Sequence, residues 1–157
     1  MDKYHLAQLN IASMLAPMDD PVMKDFVNNL EPVNEIAEQS AGYVWRLQTD
    51  EGDATSIRIF DNDMLLVNMS VWESVEHLKA FVYDSFHTEI LKRKKEWFSK
   101  FGKAYQVMWW IPAGTEPSVE EAQNRLLYLQ EHSESAYAFS FRRTFPPSKA
   151  HLQLPQV

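Results

Sequence analysis

The 157-residue chain contains no cysteine. Disulfides, zinc–thiolate sites and a thiol nucleophile are therefore excluded, and the absence suits a reducing compartment. Glycine is scarce, with only four residues, too few for a loop that cradles phosphates. Lys and Arg number 15 against 22 Asp and Glu, a formal net charge of −7. Such a chain repels a phosphate backbone, and nucleic acid is not an expected partner. No stretch approaches the ~18 uninterrupted apolar residues of a membrane span. The opening "MDKYHLAQLNIASML" lacks the apolar centre of a secretory signal. A soluble cytoplasmic protein with no membrane contact is expected. HExxH, CxxC, GxSxG and carboxylate–histidine clusters are all missing, so no metal site is expected.

What the chain does have is length for one substantial core and many aromatic residues, at 13% with five Trp. That surplus fits a bulky core or a ring-lined pocket. At alternating or helical spacing the core reading carries more weight.

Strand and helix periods follow one another along the chain. "YHLAQLNIA" alternates, with Tyr4, Leu6, Gln8 and Asn10 on one face. Asp20 before Pro21 is a helix start, and Val22, Phe26, Leu30, Val33 and Ala37 form the apolar stripe that follows. Pro32 predicts a kink or break near Glu31. "GYVWRLQ" reads as a strand with Tyr43, Trp45 and Leu47 on one face and Val44, Arg46 and Gln48 on the other. "SIRIF" is a short strand or strand extension. "MLLVNMSVW" has a wholly apolar face, Leu65, Val67, Met69 and Val71, and a mixed one holding Asn68, Ser70 and Trp72.

Ser74 caps the next helix. The pattern stumbles at "YDSF" and restarts through "HTEILKRKKEWFSKF". "AYQVMWWIPAG" is a further strand. Ser118 with Glu121 makes a capping box for a last helix, and "AFSFRRTF" reads as a closing strand. The order predicts an α+β fold: a ferredoxin-like βαββαβ antiparallel sheet with helices on one face, plus a C-terminal helix–strand extension. Residues 1–146 form one domain and 147–157 an irregular tail. The strands are apolar on both faces, and a bare second face would be a large apolar patch. A two-fold homodimer packed sheet to sheet is the expected remedy.

The runs "YHLAQLNIA", "GYVWRLQ", "LVNMSVWESVEHLKAFVYDSFHTEILKRKKEWF", "VMWWIPAGTEPSVEEAQNRL" and "FSFRRTFP" resemble the bacterial family called domain of unknown function 3291, over residues 4–146. The resemblance implies the dimeric α+β barrel superfamily. That superfamily includes antibiotic-biosynthesis monooxygenases, haem-degrading enzymes and many members of unknown chemistry.

His87 is the first candidate for catalysis. The resemblance implies a serine–histidine pattern after the third main strand, and "SFH" is similar to it. A first-turn imidazole near a helix N-terminus is held neutral, able to act as base, hydrogen-bond partner or ligand. Equally, it would order the helix break through a backbone carbonyl. Asn68 shares a strand face with Ser70 and Trp72, and polar groups there need partners or a wet cavity. Asn10 matches the asparagine that the haem-degrading relatives use. Their tryptophan is replaced by Phe81 and their histidine lies later in the helix, which disfavours haem. No cofactor is expected. Trp45, Trp72 and Trp110 offer flat apolar surface for a substrate, and Arg46 would meet an anionic group or pair with a carboxylate.

Two functions follow. One is a small monooxygenase-like or isomerase-like enzyme on an aromatic or polyketide-like compound, with His87 and Asn68 catalytic and Asn10, Trp45, Arg46, Trp72 and Trp110 binding substrate. The other is a non-catalytic homodimeric module that binds a small apolar molecule or a protein.

Overall fold

The computed structural model of the protein describes residues 3–17, 19–47, 65–83, 88–89, 92–99 and 105–147. His87, the "SIRIF" segment and the tail beyond residue 147 lie outside these residues. Strand β1 is Tyr4–Ser13. A 3-10 turn, Pro21–Met23, leads into α1, Lys24–Gln39. Strands β2 (Tyr43–Arg46) and β3 (Leu65–Trp72) follow, then α2 (Val75–Val82), β4 (Gln106–Pro112) and α3 (Val119–His132). The sheet order is β2-β3-β1-β4 with every neighbour antiparallel, the expected βαββαβ arrangement.

Local chemistry sets the helix starts. Asp20 accepts from Val22 N at 2.9 Å with Pro21 just inside. Ser74 accepts from His77 N at 3.1 Å, and Ser118 from Glu121 N at 3.0 Å. Pro32, in contrast, does not break α1, which is continuous over 16 residues. The carbonyl left without a donor belongs to Asn28. Asn28 and Pro32 are both exposed, so water replaces the lost bond. The helix expected through "HTEILKRKKEWFSKF" is present at Thr88, Glu89 and Lys92 but ends early: Lys94–Glu96 is a 3-10 turn, and Phe98 bridges Met14.

The two sheet faces carry separate cores. Ala7, Leu9, Val67, Met69, Val71, Val107 and Trp109 pack with Ala122, Leu126 and Leu129 of α3. On the other face, Leu6, Trp72, Met108 and Trp110 pack with Ala37 of α1 and Leu78 of α2. A third cluster on this same side gathers Met14, Met23, Phe26 and Trp97, with Leu30 and Leu66 against it.

The position of α3 corrects one sequence expectation. The second face is not bare: Leu9, Val71, Val107 and Trp109 are fully buried within a single chain. Trp109 Nε1 donates to Glu121 Oε1 at 2.6 Å. Arg125, 4% exposed, donates to Tyr137 O at 2.8 Å and lies 3.9 Å over the Tyr137 ring. The argument for sheet-to-sheet pairing therefore loses its premise. The expected last strand is reduced to a bridge in which Phe139 and Met108 exchange backbone bonds of 2.7 and 3.0 Å. That bridge covers the free edge of β4.

A second correction concerns β2. A bulge between Tyr43 and Trp45 shifts the register, so Tyr43 pairs with Trp72, Trp45 with Val71 and Arg46 with Ser70. Tyr43 and Arg46 thus share the helix-covered face, while Trp45 and Leu47 join the α3 core.

Candidate functional site: a polar stripe across the sheet

The register of β1 against β3 and β4 assembles a polar stripe on the face covered by α1 and α2. Gln8 lies opposite Ser70, and Asn10 opposite Asn68 and Gln106. Arg46 extends the Ser70 row onto β2. The stripe separates two apolar clusters on the same face: Leu6, Trp72 and Trp110 on one side, Leu66 with Met14 and Met23 on the other. Polar groups between two such clusters need partners or water.

They find partners in one another. Gln8, 3% exposed, uses its side-chain nitrogen twice, to Asn68 Oδ1 at 2.9 Å and to Ser70 Oγ at 2.8 Å. Asn10 Nδ2 reaches Gln8 Oε1 at 3.4 Å. Trp72 Nε1 donates to Ser70 Oγ at 2.9 Å. Exposure is graded along the chain of contacts. Trp72, Gln8 and Ser70 are buried, Asn10 is half-buried, and Asn68 is exposed. The network therefore runs from the core to solvent.

The predicted residues fall into three groups. Asn68 and Asn10 lie at the open end of the stripe. Trp72 anchors its closed end but is wholly buried, stacked on Phe81 at 5.2 Å with Tyr43 edge-on at 5.7 Å. Trp110 pairs across β1 through Leu6, and its indole donates to Phe145 O at 2.7 Å. Neither ring presents a free face. Trp45 sits on the opposite face and is not brought together with the others. Arg46 donates to Glu38 Oε1 on α1 at 2.8 Å, tying the helix to β2. Nearby, burial pushes the Tyr43 hydroxyl pKa up, aided by Glu38.

Gln8 and Ser70 are central to the site; Ser70 stood out from sequence only as a polar strand residue beside Asn68, and Gln8 was not singled out. The signal available was a glutamine on the same face as Leu6, in a strand whose other face is apolar. An open depression of about 410 Å³ also lies at the start of α1, between Asp19, Asp20, Pro21, Lys24, Val27 and Asn28. It shares no residue with the stripe. Among the described residues no cluster of three metal-ligating side chains occurs, and no helix is long and apolar enough to cross a membrane.

A ferredoxin-like α+β domain with an internal amide row is thus the class that the fold and site define. The chain belongs to the family described as domain of unknown function (DUF3291), whose model matches residues 5–154. No curated protein matches it. Two solved structures are similar. SnoaB, a cofactor-independent oxygenase from Streptomyces nogalater, is 11% identical with a TM-score of 0.47, covering 74% of this chain and 97% of that one. A Nitrosomonas europaea protein assigned to the antibiotic biosynthesis monooxygenases is 10% identical with a TM-score of 0.48, covering 75% and 97%. Likeness at this level carries no activity across.

Proposed function

We propose that the polar stripe is the floor of a small-molecule site. In this reading the protein is a small cytoplasmic monooxygenase-like or isomerase-like enzyme acting, without a bound cofactor, on an aromatic or polyketide-like compound. The observation that carries the reading is the row Asn10–Gln8–Asn68–Ser70, which runs from the buried sheet to solvent between two apolar clusters. Asn68 and Asn10 orient the substrate. His87 takes a proton from a carbon beside a substrate carbonyl, leaving an enolate. An isomerase returns that proton to another carbon; in an oxygenase the carbon adds O2 to give a hydroperoxide, which loses water to leave a new carbonyl. Trp72 and Trp110 support the wall from behind, and Trp45 has no part in it.

The described donors do not fit a haem. The carboxamides and hydroxyl of the stripe are poor axial ligands for a haem iron.

One observation favours the second reading, a non-catalytic binding module. Apart from Arg46, which is paired with Glu38, the described residues of the stripe carry no ionisable side chain. A homodimer stays within the proposal.

The test is proton exchange of 2-tetralone in D2O, with oxygen uptake on the same compound, for the wild type and His87→Ala. Exchange or uptake above the buffer rate, lost in the variant, supports the enzyme. Binding of 2-tetralone without either supports the module. No binding at all removes the site.

A further inference from the structure

Counting donors and acceptors along the stripe assigns its ligand a polarity. The inference rests on the stripe being a binding site. Trp72 Nε1–H can only donate, and it donates to Ser70 Oγ at 2.9 Å. Gln8 Nε2 donates to the same oxygen at 2.8 Å and to Asn68 Oδ1 at 2.9 Å. A hydroxyl oxygen has two acceptor positions and one proton. Both acceptor positions of Ser70 are taken, so its proton points in the remaining tetrahedral direction, away from Trp72 and Gln8. Ser70 is only 8% exposed, and a buried donor left unmatched is costly. Asn68 tells the same story one step further out. Its oxygen is occupied by Gln8, which leaves its amide protons facing the exposed end.

We propose that Ser70 O–H and Asn68 Nδ2–H form a paired donor subsite for one acceptor oxygen of the ligand, a ketone, quinone or enolate oxygen on a flat ring. An N–H or hydroxyl donor gains nothing at this position. Reversing the amides of Gln8, Asn68 and Asn10 would let Gln8 Oε1 accept from Ser70 and Asn68 and would close the subsite. The subsite therefore exists only in the polarity present. The same two donors match an oxygen that gains negative charge during proton removal, as an oxyanion hole does.

The experiment compares 1-indanone with indane, which has the same rings and no carbonyl. Binding is followed by protein-observed NMR in the wild type, Asn68→Asp and Ser70→Ala. Asn68→Asp keeps an oxygen for Gln8, replaces the outward donor by a charged acceptor oxygen, and lies at an exposed position where folding is not at risk. The subsite predicts that 1-indanone binds about tenfold more tightly than indane, the scale of one good hydrogen bond. It also predicts that Asn68→Asp abolishes the difference, and that Ser70→Ala, if folded, does the same. Equal binding of the two compounds, or a preference that survives Asn68→Asp, overturns the subsite and leaves the proposed binding site standing. No binding of either compound overturns both.

Discussion

The indole of Trp72 donates to the hydroxyl of Ser70, two residues back on the same strand and the same face. This contact fixes the closed end of a hydrogen-bonded row that reaches solvent at Asn68. It also makes Ser70 the residue on which the row depends. Ser70→Ala strands the Trp72 indole and one proton of Gln8 in a buried setting. A loss of about 1–3 kcal/mol is expected, read from urea unfolding, with no change in the slope of the transition.

Gly42 and Gly114 give a matched pair of tests. Both have positive φ, 82° and 88°. A Cβ at Gly114 meets open space, whereas one at Gly42 runs into the His77 ring, whose Nδ1 is held 2.7 Å from Ser74 Oγ. Gly114→Ala should cost only the backbone strain, about 1–2 kcal/mol. Gly42→Ala should cost clearly more, because the start of α2 must shift, and thermal unfolding of the two variants separates them.

Arg125 ties α3 to the segment that follows it, which bridges β4 at Phe139. Burial pushes its guanidinium pKa down while Tyr137 and Glu121 push it up, yet it stays charged at any working pH. Arg125→Ala removes a charge-assisted bond worth about 1.5–3 kcal/mol together with its packing on Tyr137. Hydrogen exchange in 119–132 should rise before exchange in β1 and β3. Arg125→Lys should recover little, since an ammonium cannot stack on the ring and reach the Tyr137 carbonyl in one geometry.

Alkaline pH should find Tyr43. Its folded pKa lies above the ordinary 10.0, chiefly through burial and then through Glu38. A raised pKa means the folded state holds its proton more firmly. The stability this contributes is fully present below the unfolded value and lost as pH climbs through the folded one. Tyr43→Phe should therefore flatten the fall in stability above about pH 10, and a denaturant series across that range measures it.

Alternation alone revealed the faces of β1, β3 and β4, and Asp20, Ser74 and Ser118 marked the starts of the helical segments. Those signals are local, and each strand's period of two survives whatever packs on it. Three features depended on tertiary context. The bulge at Val44 turned Arg46 toward Ser70 and Trp45 away, which no alternation count within "GYVWRLQ" contains. Pro32 was absorbed because its orphaned carbonyl faces water. The helix after Pro117 was legible as a helix, but not as the cover of the second face, because that depends on the contacts of Trp109 with Glu121 and Arg125 with Tyr137. The stripe itself was half legible. Asn68, Ser70 and Asn10 stood out as polar strand residues, but the registers that set Gln8 against Ser70 and Asn10 against Asn68 exist only between strands.

The most direct test of the central claim is a side-chain amide NMR map of the 15N-labelled protein titrated with 1-indanone. The carboxamide groups of Gln8, Asn10 and Asn68 report on the stripe, and that of Asn28 reports on the depression at the start of α1. Saturable shifts confined to Gln8, Asn10 and Asn68 are the predicted result. A shift at Asn28 with the stripe silent, or no saturable shift at all, would contradict the account.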